Sequence, residues 1–212
     1  VGPGIDEVPG EVLEQAFEAW TAIDCADVSA VNHGPITQYP EEDNNPADEW
    51  DRLNLITFDD PADRISGGTL SVTYTRTDGE VLFSLGESQY FRTSDVDIVF
   101  NDDVDWYREG DSCTEEYSIA AIAAHEVGHF FGLGHSCEDG EDCPDDLREA
   151  TMFWHQEACD SSAATLEDDD LQGIQALYGP VRASFECTAP EDLDPGSGLL
   201  GGVPFQLECE SF

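Results

Sequence analysis

One short segment constrains this chain of 212 residues more than any other: residues 124–136, which read AHEVGHFFGLGHS. His125 and His129 are four positions apart, so on a helix they share one face and can direct two imidazoles at a single metal ion. Gly132 then lets the backbone turn where a helix interior would resist it, and the chain can double back to bring His135 alongside. The segment therefore predicts a metal site with three histidine ligands.

Three imidazoles beside an acid are typical of one kind of zinc site. Structural zinc sites usually fill all four coordination positions with protein groups, whereas catalytic sites keep one position open. Glu126 follows His125 directly and is close enough to hold a zinc-bound water without being a ligand. The pattern predicts one catalytic zinc ion with Glu126 as the general base. In the opposing interpretation these are ordinary helix residues, and the full motif then has to arise by accident.

Two further segments accompany this motif. The single methionine, Met152, lies seventeen residues after His135 within the sequence ATMF, and residues 166–179 read LEDDDLQGIQALYG. Together with residues 16–20 (AFEAW), they give the chain a resemblance to the metzincin zinc endopeptidases, and within that clan to the matrixins, over about residues 10–180. The resemblance implies that Met152 belongs to the methionine turn, which supports the metal site from below.

Two single residues place the resemblance within the clan. Ser136, directly after the third histidine, is the residue that matrixins carry there. Trp154 stands two residues after Met152, where astacins and serralysins place a tyrosine as an extra ligand, and an indole cannot coordinate zinc. The resemblance therefore implies a matrixin-like site.

The resemblance also implies an α+β fold of the metzincin type. Its expected parts are a twisted mixed β-sheet, an active-site helix, a C-terminal helix and a cleft along the edge strand of the sheet. Residues 1–180 would form the catalytic domain, and residues 181–212 a C-terminal extension or the start of a further small β module. The first strand of the family is not found in residues 1–9, which are rich in glycine and proline.

Hydrophobic periodicity places the main elements along the chain. The pattern predicts strands at residues 53–58, 69–75 and 95–101 and a turn at residues 77–80. It also predicts a first helix from about Gly10, with Leu13, Ala16, Phe17 and Trp20 on one face. We expect Glu115 and Glu116 to open the active-site helix, which should end near Gly132. The last helix should direct Leu171, Ile174 and Leu177 inward, and by resemblance either Asp169 or Asp170 anchors the methionine turn.

The resemblance implies a secreted zinc-dependent endopeptidase that hydrolyses internal peptide bonds of protein substrates. By resemblance, residues 69–75 form the edge strand above the active-site cleft, and an extended peptide can add to such an edge as another strand. The expected substrate-binding residues are Leu70, Ser71, Val72, Phe153 and Trp154, and His155 is expected to line the substrate pocket. Two other functions stay open: a non-catalytic, calcium-loaded binding or adhesion module that retains the fold, and a zinc amidase that acts on something other than protein.

A second metal is the next question that the sequence raises. Asp102, Asp103 and Asp105 follow the strand at residues 95–101, and their carboxylate oxygens are ligands that calcium prefers. A merely solvated acidic loop explains them equally well. The structural zinc and calcium loop of matrixins, which contains H-G-D, is missing, so we predict no second zinc. His33 has no partner at metal-ligand spacing and is expected to be a surface residue.

The net charge of −41, from 48 acidic residues and 7 basic ones, limits the partners of this chain. Such a surface repels phosphate backbones and anionic membranes, so we do not expect this chain to bind nucleic acids. The charge has three interpretations: a coat suited to high salt, a set of calcium sites, or colloidal protection. We expect a monomer without a membrane span that acts on proteins or peptides. The inhibitory segment of matrixins, P-R-C-G-x-P-D, is not found in the sequence.

Seven cysteines without a C-x-x-C pair do not form a thiolate zinc site, and they suit an oxidising compartment outside the cytoplasm. We expect a local Cys137–Cys143 bridge and a Cys113–Cys159 bridge across the active-site half, which leaves Cys25 unassigned. Two segments of the C-terminal extension, residues 183–187 and 205–209, each end in a cysteine and could pair as strands joined by a disulfide.

Overall fold

A computed structural model describes residues 10–24, 26–35, 52–58, 60, 65–85, 88–140 and 142–179. Cys25, residues 1–9 and the C-terminal extension lie outside the described residues, and so do the expectations made for them. The described part is an α+β structure with a mixed sheet and packed helices, as the sequence predicts. Within it, no helix combines the length and apolar composition that crossing a bilayer requires.

The helices and strands follow one another in a simple order. The helices are α1 (Gly10–Thr21), α2 (Ile119–Phe130), α3 (Asp145–Glu149) and α4 (Asp168–Tyr178), with a 3₁₀ turn at Ser162–Ala164. The strands are β1 (Ile56–Thr57), β2 (Ser71–Leu85), β3 (Ser88–Phe100), β4 (Trp106–Tyr107) and β5 (Tyr117–Ser118).

The main sheet has the strand order β1-β3-β2 among the described residues. β1 runs parallel to β3, with Ile56 opposite Ile98, whereas β2 runs antiparallel to β3, with Thr73 opposite Ile98. β2 therefore lies at an edge of this sheet, which confirms the prediction of an edge strand beginning near residue 70. β4 and β5 form a separate parallel pair.

The turn predicted at residues 77–80 is wrong, because these residues lie inside β2. Thr77 pairs with Thr93 and Val81 pairs with Phe91, so three residues of β2 stand opposite one residue of β3. Gly79 takes a φ of +80°, which glycine adopts at little cost. The extra residues are accommodated as a bulge, and pairing resumes after it.

The strand predicted at residues 53–58 is shorter in the structure than its hydrophobic run. β1 contains only Ile56 and Thr57. Just before it, the Leu55 carbonyl still accepts the N–H of Ile98 at 2.8 Å, but side chains provide other hydrogen-bond partners. The N–H of Leu55 donates to Asp97 Oδ1 at 3.0 Å, and Asn54 Oδ1 accepts the N–H of Val96 at 2.9 Å. These polar side chains thus shorten the hydrogen-bonded pairing of β1 with β3, although the apolar sequence pattern begins earlier.

The helix α2 begins later than the acidic residues before it suggest. Ser118 is the N-cap and accepts the N–H of Ala121 at 3.2 Å, so Glu115 and Glu116 lie outside the helix. The Glu116 carboxylate instead accepts the N–H groups of Thr114 and Glu115, at 2.5 and 3.0 Å, within the preceding loop. A local loop contact therefore replaces the expected interaction with the helix dipole.

The core packs α1 against α2. Trp20 is fully buried, and its indole N–H donates to the carbonyl of Ala124 at 2.8 Å. Met152 is also buried, and a Cβ on Gly128 would lie 2.2 Å from its sulfur and 2.8 Å from Trp20. Gly128 is therefore a point where α2, α1 and the methionine segment approach one another closely.

Gly128→Ala should destabilise the protein although alanine favours a helix. The added methyl group overlaps Met152 and Trp20, and overpacking of this kind costs about 1–3 kcal/mol. Gly68→Ala is the matched control, because a Cβ at Gly68 meets nothing within 4 Å. Denaturant unfolding should show a loss for the first variant alone. An unfolding free energy for Gly128→Ala equal to that of the parent would contradict the packing described.

Candidate metal centre

One helix and the turn after it bring three imidazoles together. His125 and His129 lie on α2, Gly132 ends the helical path with a φ of +93°, and His135 follows from the turn. The ring centroids are 4.7, 4.9 and 5.3 Å apart. One ring nitrogen from each of the three lies within 4.8 Å of the others. The predicted triad is thus assembled in the structure.

The outward-facing nitrogens of the three rings are all engaged by oxygen atoms. His125 Nδ1 lies 2.8 Å from the Thr151 carbonyl, His129 Nδ1 lies 2.8 Å from the Leu133 carbonyl, and His135 Nδ1 lies 3.1 Å from a Glu138 carboxylate oxygen. A carbonyl oxygen only accepts, so Nδ1 carries the proton in His125 and His129. Their Nε2 lone pairs are therefore free to bind a metal ion.

The separation of one pair of these nitrogens fits zinc. A tetrahedral zinc ion with Zn–N bonds of about 2.0–2.1 Å holds neighbouring nitrogens about 3.3 Å apart. His129 Nε2 and His135 Nε2 are separated by 3.2 Å. Hydrogen bonds from the other ring nitrogens to carbonyls and a carboxylate are typical of metal-binding histidines. The donor set and its supports therefore suit a zinc ion held by His125, His129 and His135.

Burial keeps the ligands in their neutral form. Desolvation, reinforced by the neighbouring His129, lowers the pKa of His125 to about 3. Desolvation also lowers the pKa of His129. Only a neutral imidazole has a lone pair for a metal ion. At neutral pH both rings are ready to act as ligands.

The methionine segment supports this arrangement through its backbone. The Asp170 carboxylate is fully buried and accepts the N–H groups of Thr151 and Met152 at 2.8 and 3.0 Å. The Met152 carbonyl in turn accepts the N–H of Ser136 at 2.9 Å. Of the two aspartates considered from the sequence, Asp170 is the one that anchors the methionine turn.

The carboxyl group of Glu126 lies in a buried position beside the triad. The residue is only 4% exposed, and burial raises its pKa from 4.5 to about 7, against the opposing effects of the Thr73 and Ser71 hydroxyls. Thr73 Oγ1 donates to Glu126 Oε2 at 2.5 Å. The sequence analysis missed Thr73. The only feature of the sequence that points to Thr73 is the alternation of hydroxyl and apolar residues in β2, which places Ser71 and Thr73 on one face of the strand.

The residues predicted to bind substrate occupy two places. Leu70, Ser71 and Val72 lie at the start of the edge strand and are half-buried, and the Ser71 hydroxyl donates to the Val99 carbonyl at 2.9 Å. Phe153 and Trp154 line a cavity of about 360 Å³ directly after the methionine turn, and this cavity is also lined by His155.

The acidic residues predicted as calcium ligands are not gathered into a group. In the described part of the chain, the sets of three or more potential ligands within reach of one another do not include Asp102, Asp103 and Asp105. The backbone N–H of Asp103 donates a hydrogen bond to Asn101 Oδ1 at 2.8 Å. Calcium therefore stays a prediction that this geometry does not support. His33 is exposed, as expected for a surface residue.

Both predicted disulfides within the described residues are confirmed. Cys113–Cys159 joins the loop before α2 to the loop before α4, and Cys137–Cys143 closes the loop after the third histidine. The second bridge flanks Glu138, whose carboxylate contacts His135. The covalent links thus restrain the segments that carry the site.

Comparison with known proteins gives one family match and several relatives. The family model described as Matrixin matches residues 72–179. Interstitial collagenase of Bos taurus is 26% identical over 187 residues, which cover 85% of this chain and 30% of the relative. Matrix metalloproteinase-27 of Homo sapiens is 32% identical over 121 residues, 55% of this chain and 21% of the relative. The chain thus spans less than a third of the length of these relatives.

Glu138→Gln should weaken zinc binding about tenfold, because carboxylates that orient a ligating histidine contribute this much or more. Competition with a chromophoric chelator measures the affinity. The matched control is Glu157→Gln. Glu157 Oε1 lies 3.2 Å from His155 Nε2, so this variant changes the same kind of carboxylate–histidine contact outside the triad. Equal zinc affinities for the two variants would show that Glu138 does not support the metal site.

The raised pKa of Glu126 predicts a pH-dependent stability difference in the metal-free protein. The folded state holds a proton between pH 4.5 and about 7, so stability falls as pH rises through this window. Glu126→Gln cannot ionise and escapes this loss. After zinc removal, its unfolding free energy should exceed that of the parent by a margin that grows across the window to about 3 kcal/mol.

Denaturant titrations of the two metal-free proteins at several pH values measure this margin. Both proteins contain the same histidines, so the titration of His125 and His129 cancels in the difference. A margin that is constant from pH 4.5 to 8 would contradict the burial of an ionisable carboxyl group at this position.

Proposed function

Because the chain belongs to the matrixin family, we propose that it is a zinc-dependent endopeptidase that hydrolyses internal peptide bonds of protein substrates. One observation carries the proposal: the buried carboxyl group of Glu126 lies on the same helix as two of the three convergent imidazoles. A buried acid with a raised pKa beside a metal-binding group is costly for stability and is typical of catalytic sites. A purely structural zinc site has no need of it.

The roles of the residues follow from this arrangement. When bound, zinc polarises the carbonyl of the scissile bond and lowers the pKa of a water molecule. His125, His129 and His135 hold the ion and stay neutral. Glu126 accepts the proton of the attacking water and passes it to the leaving amine. Its pKa of about 7 in the metal-free chain suits this exchange, and a nearby cation favours the ionised, proton-accepting form.

The edge of the sheet supports a peptide as the substrate. β2 lies at the edge of the described sheet, and an edge strand offers backbone N–H and C=O groups to an extended chain. We propose that the substrate pairs with the segment that contains Leu70, Ser71 and Val72. The Ser71 hydroxyl is already engaged by the Val99 carbonyl, so the backbone of this segment provides the contacts.

The cavity beside the methionine turn supports a side-chain pocket. Phe153 is half-buried and Trp154 is 38% exposed, so both rings present apolar surface to the cavity. We propose that they form a wall of the pocket that receives a substrate side chain, with His155 at its margin. The ring centroids lie 6.0 Å apart in an edge-to-face arrangement, which is a favourable contact between aromatic rings.

Localisation and domain limits belong to the same proposal. The Cys113–Cys159 and Cys137–Cys143 bridges suit an oxidising compartment, which supports secretion. The Matrixin match ends at residue 179, which supports a catalytic domain up to about residue 180 and a C-terminal extension at residues 181–212. Structural calcium at Asp102, Asp103 and Asp105 is kept as a prediction for metal analysis.

Glu126→Gln tests the proposal. The variant keeps all three histidines, so it should retain one zinc ion per chain, measured by elemental analysis. Cleavage of casein and of a quenched fluorescent peptide library should fall by about a hundredfold or more, because a positioned general base contributes about 10²–10⁴-fold. Glu11→Gln, an exposed glutamate of α1, is the control and should cleave as the parent does. A zinc-loaded Glu126→Gln variant with parental activity would overturn the proposal.

A further inference from the structure

The general base proposed above is in contact with the edge strand. Thr73 lies on the face of β2 that packs against α2, opposite Ile98 of β3. Its hydroxyl is 2.5 Å from Glu126 Oε2 and 3.3 Å from the Glu126 carbonyl. A hydroxyl has a single proton to donate, and the shorter contact identifies the carboxylate oxygen as the acceptor.

This contact has the properties of a strong hydrogen bond. Oxygen–oxygen distances of about 2.5–2.7 Å are typical of hydroxyl groups that donate to ionised carboxylates, and such bonds exceed neutral ones in strength. Glu126 is 4% exposed, so little water is available to replace a lost donor. The Ser71 hydroxyl also acts on this carboxyl group, so loss of the Thr73 donor exposes part of the cost of burying Glu126 Oε2.

The contact also fixes the direction of the side chain. Glutamate has three rotatable bonds, and a proton acceptor is effective only when it is held within reach of the reacting group. Thr73 is β-branched, so its own rotamer is restricted, and the strand that carries it is paired to β3 along its length. A rigid donor therefore holds one oxygen of a flexible acid.

We propose that Thr73 is a positioning residue for Glu126, which aligns the carboxylate for proton transfer from the edge strand itself. This inference rests on the proposed peptidase function and deepens it. The strand that is proposed to pair with the substrate backbone also carries the donor that orients the base. Substrate placement and base placement are thus set by the same element.

Four variants test this role: Thr73→Val, Thr73→Ala, Thr73→Ser and Thr75→Val. Valine keeps the shape of threonine without the hydroxyl, alanine removes the hydroxyl without bulk, and serine restores the hydroxyl. Thr75 is the next residue on the same face of β2 and is exposed, so Thr75→Val is the matched control. Each variant is checked for zinc content and for its far-ultraviolet circular dichroism before kinetics on one quenched peptide.

The expected pattern separates positioning from a structural role. Thr73→Val and Thr73→Ala should lower kcat about tenfold with KM and zinc content unchanged, as loss of one hydrogen bond to a charged group implies. Thr73→Ser should return kcat to within about twofold of the parent, and Thr75→Val should leave it unchanged. A structural role of Thr73 would instead lower zinc content or the folded fraction.

Two failures are distinguishable. Parental kcat in zinc-loaded Thr73→Val and Thr73→Ala, or a kcat in Thr73→Ser as low as theirs, overturns the positioning role while leaving the peptidase assignment intact. Absence of cleavage by the zinc-loaded parent overturns the proposed function itself, and the role of Thr73 with it.

Discussion

Asp170 is completely buried, and its carboxylate accepts hydrogen bonds from the backbone N–H groups of Glu167, Thr151 and Met152. Three donors offset the cost of burying this acid, and they fix the turn that contains Met152. The Thr151 carbonyl then accepts a hydrogen bond from His125. One side chain of α4 thus determines, through the backbone of a single turn, how the first imidazole is oriented.

The same turn limits the space around α2. Met152 and Trp20 both pack against Gly128, where they leave no room for a Cβ. Burial in and around α2 lowers the pKa of His125 and raises the pKa of Glu126. Desolvation is the main cause of both shifts, because it penalises the charged form of each group. A divalent cation held by the three imidazoles, as proposed, would favour the ionised form of the acid.

The spacing of the motif was sufficient to predict the triad, because helical periodicity and one glycine turn determine where His125, His129 and His135 lie. The long hairpin was predicted less well. The Asp78-Gly79 pair is typical of a turn, yet β3 offers partners beyond it and the ladder resumes after a bulge. Thr73 could not be singled out, since its role depends on the register between β2 and β3 and on how α2 packs against both. Tertiary contacts of this kind leave no local pattern in the sequence.

We propose that three histidines hold one zinc ion and leave a coordination position for water. X-ray absorption spectroscopy at the zinc edge of the purified, zinc-loaded chain tests it most directly. We expect one zinc ion per chain with a first shell of nitrogen and oxygen atoms at about 2.0–2.1 Å, of which three are imidazole nitrogens. A shell that contains sulfur at about 2.3 Å, or a fourth imidazole, would contradict it.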